Sequence, residues 1–217
     1  MKNIFYKELK LVVPTALYIL FSLLAALVII PNYPYFVAFG YAILAIFITF
    51  SLARDNKDIE FTSMLPIPRN DIVKSKLFTI LFLEGVQIVA CIPFAILSAL
   101  VINTGGNLVG LDANFTLFGF AFIEFGVFNF IFIPQFFKTG YKIGISVFWG
   151  LTGYMLVALL LEGLVIAIPV LHNILDGYNV ENIGYQILVL LVGLGFYILS
   201  AFLSYKRAVK NFDKVNF

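Results

Sequence analysis

The hydrophobic and polar positions divide the chain into long apolar runs separated by short polar segments. From Leu11 to Ala53 there is no Asp, Glu, Lys, Arg or His. These 43 residues are more than twice the roughly 20 that one helix needs to cross a bilayer. Two spans are therefore predicted, over 11–30 and 35–53. Pro31 and Pro34 lie between them, and proline interrupts the hydrogen-bond ladder of a helix.

Four further apolar runs predict four more spans, which gives an all-α integral membrane protein with six transmembrane helices. The runs cover 77–102, 115–137, 143–171 and 185–204. The third of them has 29 residues, and Glu162, Gly163 and Pro169 interrupt it. The pattern is compatible with one tilted helix. It is equally compatible with a span that ends near Leu161, followed by a re-entrant outer segment over 162–183.

The distribution of positive charge predicts the orientation of the chain. All 14 Lys and Arg residues fall on one side of the six predicted spans. Because basic residues gather in cytoplasmic loops, both termini are expected in the cytoplasm. The single domain covers 1–217, and no small-residue cleavage site follows the first span, so we expect that span to be retained.

Composition excludes several classes of protein. The chain is 62% hydrophobic and 12% charged, against roughly 45–50% and about 25% in soluble domains. A cytosolic enzyme or a nucleic-acid binder is excluded, and a net charge of +2 does not indicate a polyanionic partner. The chain has one Cys, one His, no phosphate-binding loop and no H-E-x-x-H motif. We therefore predict no catalytic residue, metal or cofactor in this chain.

Three carboxyl groups lie within the predicted spans, namely those of Glu84, Glu124 and Glu162. A charged side chain at mid-membrane costs at least about 2.5 kcal/mol, so each should face the protein interior or a wet cavity. No Lys or Arg lies within a span to pair with them. Hydrogen bonding between helices and a place along a cargo path both remain open for these residues.

Two segments on the basic side carry apolar residues in polar surroundings. Residues 2–13 place Phe5, Leu9 and Val12 on one helical face among lysines, which is typical of an interfacial helix. The loop over 54–76 contains Ile59, Phe61 and Met64 before two prolines that stop a helix. A merely solvated loop does not explain these three residues, so the loop is predicted to dock on a partner protein.

The loop resembles that of the membrane subunits of type-2 ABC exporters. The similarity rests on Glu60, Leu65-Pro66-Ile67, Arg69, Ile72-Val73 and Lys76, placed after the second of six spans. The resemblance implies that the loop contains a coupling helix, which docks into a separate cytosolic ATPase that binds ATP and Mg. The implied coupling residues are Lys57, Asp58, Ile59, Glu60, Phe61, Met64, Leu65, Pro66 and Arg69. Lys74 and Lys76 would hold the start of the third span at the interface.

The same resemblance implies further properties of the chain. The interfacial helix and the re-entrant outer segment are features of that family. Its small members without an outer domain include exporters of phenol-soluble modulins, which are amphipathic peptides. By this similarity we expect a multi-pass permease in a bacterial plasma membrane, in contact with membrane lipid, that exports peptide or other hydrophobic cargo. It would act as a homodimer or with a related permease.

Two other classes of transporter remain alternatives. A substrate-binding membrane subunit of a vitamin importer also has about six spans, but it would carry alanines spaced by four on the first span. Ala25 and Ala26 are adjacent there, and no two alanines of this span are four residues apart. A stand-alone secondary transporter predicts an internal repeat, and no convincing similarity links the first three predicted spans to the last three.

Overall fold

A computed structural model describes residues 2–102, 106–139 and 142–214. In these ranges the chain is helical and contains no strand. The α-helices are α1 (Lys2–Lys7), α2 (Ala16–Ala25), α3 (Phe36–Asp55), α4 (Asp58–Met64), α5 (Arg69–Leu97), α6 (Phe115–Lys138), α7 (Ile143–Ala167), α8 (Pro169–Leu175) and α9 (Ile183–Phe212). Short π-helical segments follow α1 (Glu8–Val12) and α5 (Ser98–Ile102), and 3₁₀ turns occur at Ala26–Ile29 and Val180–Asn182.

Five helices of the described chain are long and apolar enough to cross a membrane. They are α3, α5, α6, α7 and α9, and they correspond to the last five predicted spans. The first predicted span is instead a shorter apolar helix, Ala16–Ile29. It begins five residues later than predicted because the chain leaves the helical conformation at Val13, immediately before Pro14. The all-helical membrane architecture is thus confirmed with five candidate spans.

Two ends of the helix bundle are clearly distinguished. At the first, which we call the basic end, α1 and α4 lie beside the start of α5 and the last turns of α6 and α9. Here Arg69 donates to the carbonyl oxygen of Phe212 at 3.2 Å, and Asn211 donates to that of Pro134 at 2.8 Å. At the other, the outer end, the backbone N–H of Leu108 donates to Asn32 at 3.2 Å. The segment containing α2 therefore reaches from one end of the bundle to the other, despite its short helix.

The boundaries of α5 and α7 differ from the predicted spans. α5 begins at Arg69, directly after Pro68, so the end of the predicted loop over 54–76 and the third predicted span form one continuous helix. α7 passes through Glu162 without interruption and ends at Ala167, where the chain becomes extended at Ile168. The break therefore falls before Pro169, which lacks the N–H needed to continue the ladder. Neither a single 29-residue helix nor an end near Leu161 is observed.

The centre of the bundle is the contact between α6 and α9, which is close because glycines line it. A Cβ on Gly119 would lie 2.8 Å from the carbonyl oxygen of Val189, and a Cβ on Gly193 would collide with the carbonyl oxygen of Gly119. A Cβ on Gly126 would lie 2.9 Å from the Phe196 ring. Small residues allow helix backbones to approach in membranes, where packing rather than the hydrophobic effect drives association.

Substituting one glycine of this contact should destabilise the bundle. We expect Gly193→Ala to lower the free energy of unfolding by about 1–3 kcal/mol, the usual cost of overpacking. Gly195→Ala is the matched control, because a Cβ there would meet no atom within 4 Å. The measurement is the melting temperature of each purified subunit in detergent. Equal melting temperatures for the two variants would contradict the close α6–α9 contact.

Candidate functional site

The helix α4 is a short exposed element at the basic end of the bundle. Lys57 precedes it in the left-handed conformation, with φ of 51°, which turns the chain between α3 and α4. Asp58 and Glu60 lie in its first turn, where negative charge is favourable at a helix N-terminus. The helix ends at Met64 because Leu65 is extended and Pro66 follows.

One side of α4 presents apolar side chains to the outside of the protein. Phe61 is 61% exposed, Met64 is 83% exposed and Leu65 is 39% exposed, and Glu60 lies exposed beside them. We call these four residues the α4 face. A cluster of large apolar residues beside charged ones is typical of a surface that another protein covers.

The other side of α4 is joined to the bundle by charged residues. Lys76 of α5 is buried, and its Nζ lies 2.6 Å from Oε2 of Glu8 and 2.8 Å from Oδ2 of Asp58. The Nζ of Lys7 lies 2.7 Å from Oδ1 of Asp58 and 3.2 Å from Oε1 of Glu8. We call Lys7, Glu8, Asp58 and Lys76 the ion cluster. In it each ammonium contacts both carboxylates, so the two positive and two negative charges balance.

The surroundings of Asp58 and of Lys7 shift the pKa of each group in the direction that favours its ionised form. Burial alone would raise the pKa of Asp58, but the attraction of Lys76 and the hydrogen bond from Lys7 outweigh it, and the pKa falls below its usual value. Burial alone would lower the pKa of Lys7, but hydrogen bonding to Asp58 and attraction to Glu8 raise it. Thr62 on α4 accepts a further hydrogen bond from Lys7 at 3.0 Å.

The structure separates the nine predicted coupling residues into three groups. Lys57 and Pro66 lie exposed alongside the α4 face. Asp58 instead points into the ion cluster, and Arg69 binds the end of α9. The side chain of Ile59 lies outside the described part of the chain. The α4 face, Lys57, Pro66 and Arg69 are exposed, so a partner could contact these members of the set.

Sequence reasoning missed the ion cluster. Lys76 was expected at the membrane interface, but its side chain is only 2% exposed. The one feature of the sequence that could have indicated the ion cluster is Glu8, an acidic residue among the lysines of the N-terminal segment and close to its apolar face. That signal names no partner, because residues 8, 58 and 76 are far apart in sequence and only the fold brings them together.

The three intramembrane carboxyl groups lie in different parts of the bundle. Glu84 is fully buried between α5, α6 and α9, and Glu124 is buried beside Tyr154 of α7. Glu162 lies toward the outer end, where a Cβ on Gly110 would be 3.0 Å from its Oε2. Glu124 and Glu162 both interact with Tyr154, whereas Glu84 has other partners, and the role of the three along a cargo path stays a prediction.

An apolar cleft of about 550 Å³ opens between α5, α6 and α9 in the outer half of the bundle. Its lining includes Ile88, Ile96, Phe118, Phe122, Tyr178 and Gln186. None of the three intramembrane glutamates lines this cleft. The arrangement can hold an apolar group, because apolar cavities exclude water and accept apolar ligands.

The outer end is closed by hydrogen bonds between the segment before α6 and the segment after α8. The backbone N–H of Asp112 donates to Oδ1 of Asp176 at 2.8 Å, and Asn114 donates to the carbonyl oxygen of Leu175 at 2.9 Å. Burial, and then the negative charge of Asp176, raise the pKa of Asp112 above its usual value. These contacts hold α8 against the top of α6.

These features define a class of protein: a multi-pass helical membrane protein with an exposed element at one end that is suited to a partner protein. The family model of the ABC-2 family transporter protein matches residues 3–208. The chain therefore belongs to this family, and the permease class indicated by the loop motif is confirmed. Comparison with curated proteins gave no match, and comparison with solved structures gave none. Membership in the family implies a partner ATPase subunit in general.

The ion cluster should contribute measurably to stability. We expect Asp58→Asn to lower the free energy of unfolding by about 1.5–3 kcal/mol, the range for hydrogen bonds to charged groups. Asp55→Asn is the matched control, because Asp55 is exposed and its pair with Arg54 should contribute only about 0–1 kcal/mol. The melting temperatures of the purified subunits test this difference.

The stability difference between wild type and Asp58→Asn should also depend on pH. Because the pKa of Asp58 is lowered in the folded protein, its contribution is present above the unfolded value and is lost as the pH falls. The difference in melting temperature between wild type and Asp58→Asn should therefore become smaller below about pH 3.9, the usual pKa of Asp. A gap that stays constant down to strongly acidic pH would contradict a charged Asp58.

Proposed function

We propose that this chain is the permease subunit of an ATP-driven ABC exporter, and that α4 is its coupling helix. The observation that carries the proposal is the exposed α4 face, whose apolar residues stand beside the sequence motif of that family. A separate ATPase subunit covers this face, binds ATP and Mg, and hydrolyses the nucleotide. This chain contributes no catalytic residue.

The proposed topology has six spans with both termini in the cytoplasm of a bacterial cell. The segment containing α2 supports the sixth span, because it reaches from the basic end to the outer end. The gathering of basic residues on one side supports a cytoplasmic basic end. The re-entrant segment is supported by α8, which lies between the end of α7 and the start of α9 and binds the outer end of α6.

In the proposed mechanism the ion cluster connects α4 to α1 and to the start of α5. Motion of the ATPase displaces α4, and Asp58 passes the displacement to Lys7 and to Lys76. α1 and the start of α5 then move with α4, because breaking these contacts would leave buried charges without partners. α5 forms one wall of the apolar cleft, so the displacement reaches the region where cargo passes.

Amphipathic peptides or other hydrophobic molecules are the proposed cargo. The apolar cleft supports this class, because its walls are almost entirely hydrophobic. The pairing of two permeases is supported by α9, of which only 22% is buried in its most apolar part. A second copy of this chain or a related permease would cover such a face and complete the path.

The docking role of α4 predicts the result of one double substitution. Glu60→Ala with Leu65→Ala removes two exposed side chains of the α4 face while leaving the ion cluster in place. The subunit should remain in the membrane but lose the cargo-stimulated hydrolysis of ATP, and a large part of its binding to the ATPase. Affinity purification from native membranes in mild detergent, followed by mass spectrometry and an ATPase assay, measures both effects.

Leu108→Ala is the matched control for this experiment. Leu108 is 87% exposed but lies at the outer end, away from α4. The control should bind the ATPase like wild type. Unchanged cargo-stimulated hydrolysis in the Glu60/Leu65 variant would remove the coupling assignment from α4. A wild-type preparation that contains no ATPase would argue against the exporter function itself.

A further inference from the structure

A buried polar contact joins α5, α6 and α9 in the interior of the membrane region. Oε2 of Glu84 accepts a hydrogen bond from Nδ2 of Asn129 at 2.9 Å and another from the hydroxyl of Tyr197 at 2.6 Å. Glu84 and Asn129 are both fully buried. Each of the three helices contributes one side chain, so the contact joins the three helices in the interior of the bundle.

The same two residues leave two oxygen atoms without a donor. Oε1 of Glu84 and Oδ1 of Asn129 are buried and make no hydrogen bond within the described part of the chain. Both atoms are acceptors as long as the carboxyl is ionised, so neither can satisfy the other. Buried acceptors are usually paired, and leaving one unpaired on each of two residues that already bind each other is costly.

The geometry points to a proton-binding site at Glu84. We propose that the carboxyl is neutral, with its proton on Oε1, and that this O–H donates to Oδ1 of Asn129. A protonated carboxyl has one donor and retains its acceptor, while a primary amide has both donors and an acceptor. One proton therefore satisfies both oxygen atoms and converts a single hydrogen bond between Glu84 and Asn129 into a closed pair.

The surroundings favour a proton over other positive charges. No ion pair joins Glu84 to a Lys or Arg among the residues that the structure describes. No group of three His, Cys, Asp or Glu residues in that part of the chain could hold a metal ion. An isolated carboxylate in an apolar interior is strongly disfavoured relative to the neutral acid. Tyr197 is the titratable group that hydrogen-bonds to Glu84, and it serves as a donor.

The proposal gives Glu84 a defined role beside the apolar cleft. The three helices that Glu84 joins, α5, α6 and α9, are also the walls of that cleft. A neutral acid holds all three without requiring a counter-ion, so the walls stay together in the absence of cargo. This role concerns the subunit alone and does not depend on its partner or its direction of transport.

The test is infrared spectroscopy of the purified subunit in lipid nanodiscs at neutral pH, in H₂O and in D₂O. A protonated carboxyl has a C=O stretching band that a carboxylate lacks, and the band shifts when its proton is exchanged for deuterium. Glu84→Gln should lose one such band relative to wild type. Glu181→Gln, which replaces an exposed carboxyl at the outer end, should leave the band unchanged.

Melting temperatures of the same proteins give a second measurement. Gln presents an N–H where the acid presents its O–H, so Glu84→Gln should melt within about 2 °C of wild type. Glu84→Ala leaves the donors of Asn129 and Tyr197 unpaired, and we expect it to melt at least about 4 °C lower. If Glu84→Ala does not fold, the infrared comparison with Glu84→Gln still decides.

Two results would overturn the proposal. An unchanged carboxylic-acid band in Glu84→Gln would show that Glu84 is ionised in wild type. A melting temperature that rises with Na⁺ or K⁺ in wild type, but not in Glu84→Gln, would assign the site to a metal cation in place of a proton. Either result would leave the docking role of α4 untouched, because that role is measured by ATPase binding.

Discussion

The basic end of this protein depends on the burial of one positive charge. The ammonium group of Lys76 has almost no access to water, so it needs both Glu8 and Asp58 within hydrogen-bond distance. Those carboxylates come from the N-terminal helix and from α4, and Lys7 neutralises their remaining charge. Satisfying Lys76 thus fixes where α1 and α4 lie on α5. It also determines which side of α4 faces inward, and so which side is left for a partner.

The parts of the structure that sequence could predict are those with a local physical cause. The apolar runs gave the spans 115–137 and 35–53 within about two residues, because length and composition are sufficient for a membrane helix. The start of the first helix was wrong because Pro14 was read as part of an apolar run. The predicted end near Leu161 was wrong because Glu162 and Gly163 do not end the helix α7, which continues to Ala167, shortly before Pro169.

The candidate site was predictable only in part, for a related reason. Exposure of Phe61 and Met64 follows from their place in a short helix between polar segments, and the sequence indicated it. The inward direction of Asp58 depends on Lys7 and Lys76, which are 51 and 18 residues away. No periodicity or motif reports such a pairing. The Glu84 contact with Asn129 and Tyr197 is of the same kind, since three helices contribute one residue each.

The helix α5 carries two buried polar contacts that are stabilised in different ways. Lys76 lies near the basic end, where the carboxylates of Glu8 and Asp58 contact it. Glu84 lies eight residues further on, about 12 Å along the helix, where it accepts hydrogen bonds from Asn129 and Tyr197 and forms no ion pair with the described Lys and Arg residues. Both contacts join α5 to other helices, one by charge and one by hydrogen bonds. The close α6–α9 contact through Gly119 and Gly193 needs neither.

The composition of the ion cluster also bears on the order in which the chain is made. Its members come from positions 7, 8, 58 and 76, so the N-terminal helix is synthesised long before its last partner. Until α5, the second of the five long helices, has been synthesised, Lys76 is not available to bind Glu8. The first apolar helix, Ala16–Ile29, follows the N-terminal segment that carries Lys7 and Glu8. The contacts that fix the N-terminal segment on α5 are therefore complete only after α3, α4 and the start of α5 have been synthesised.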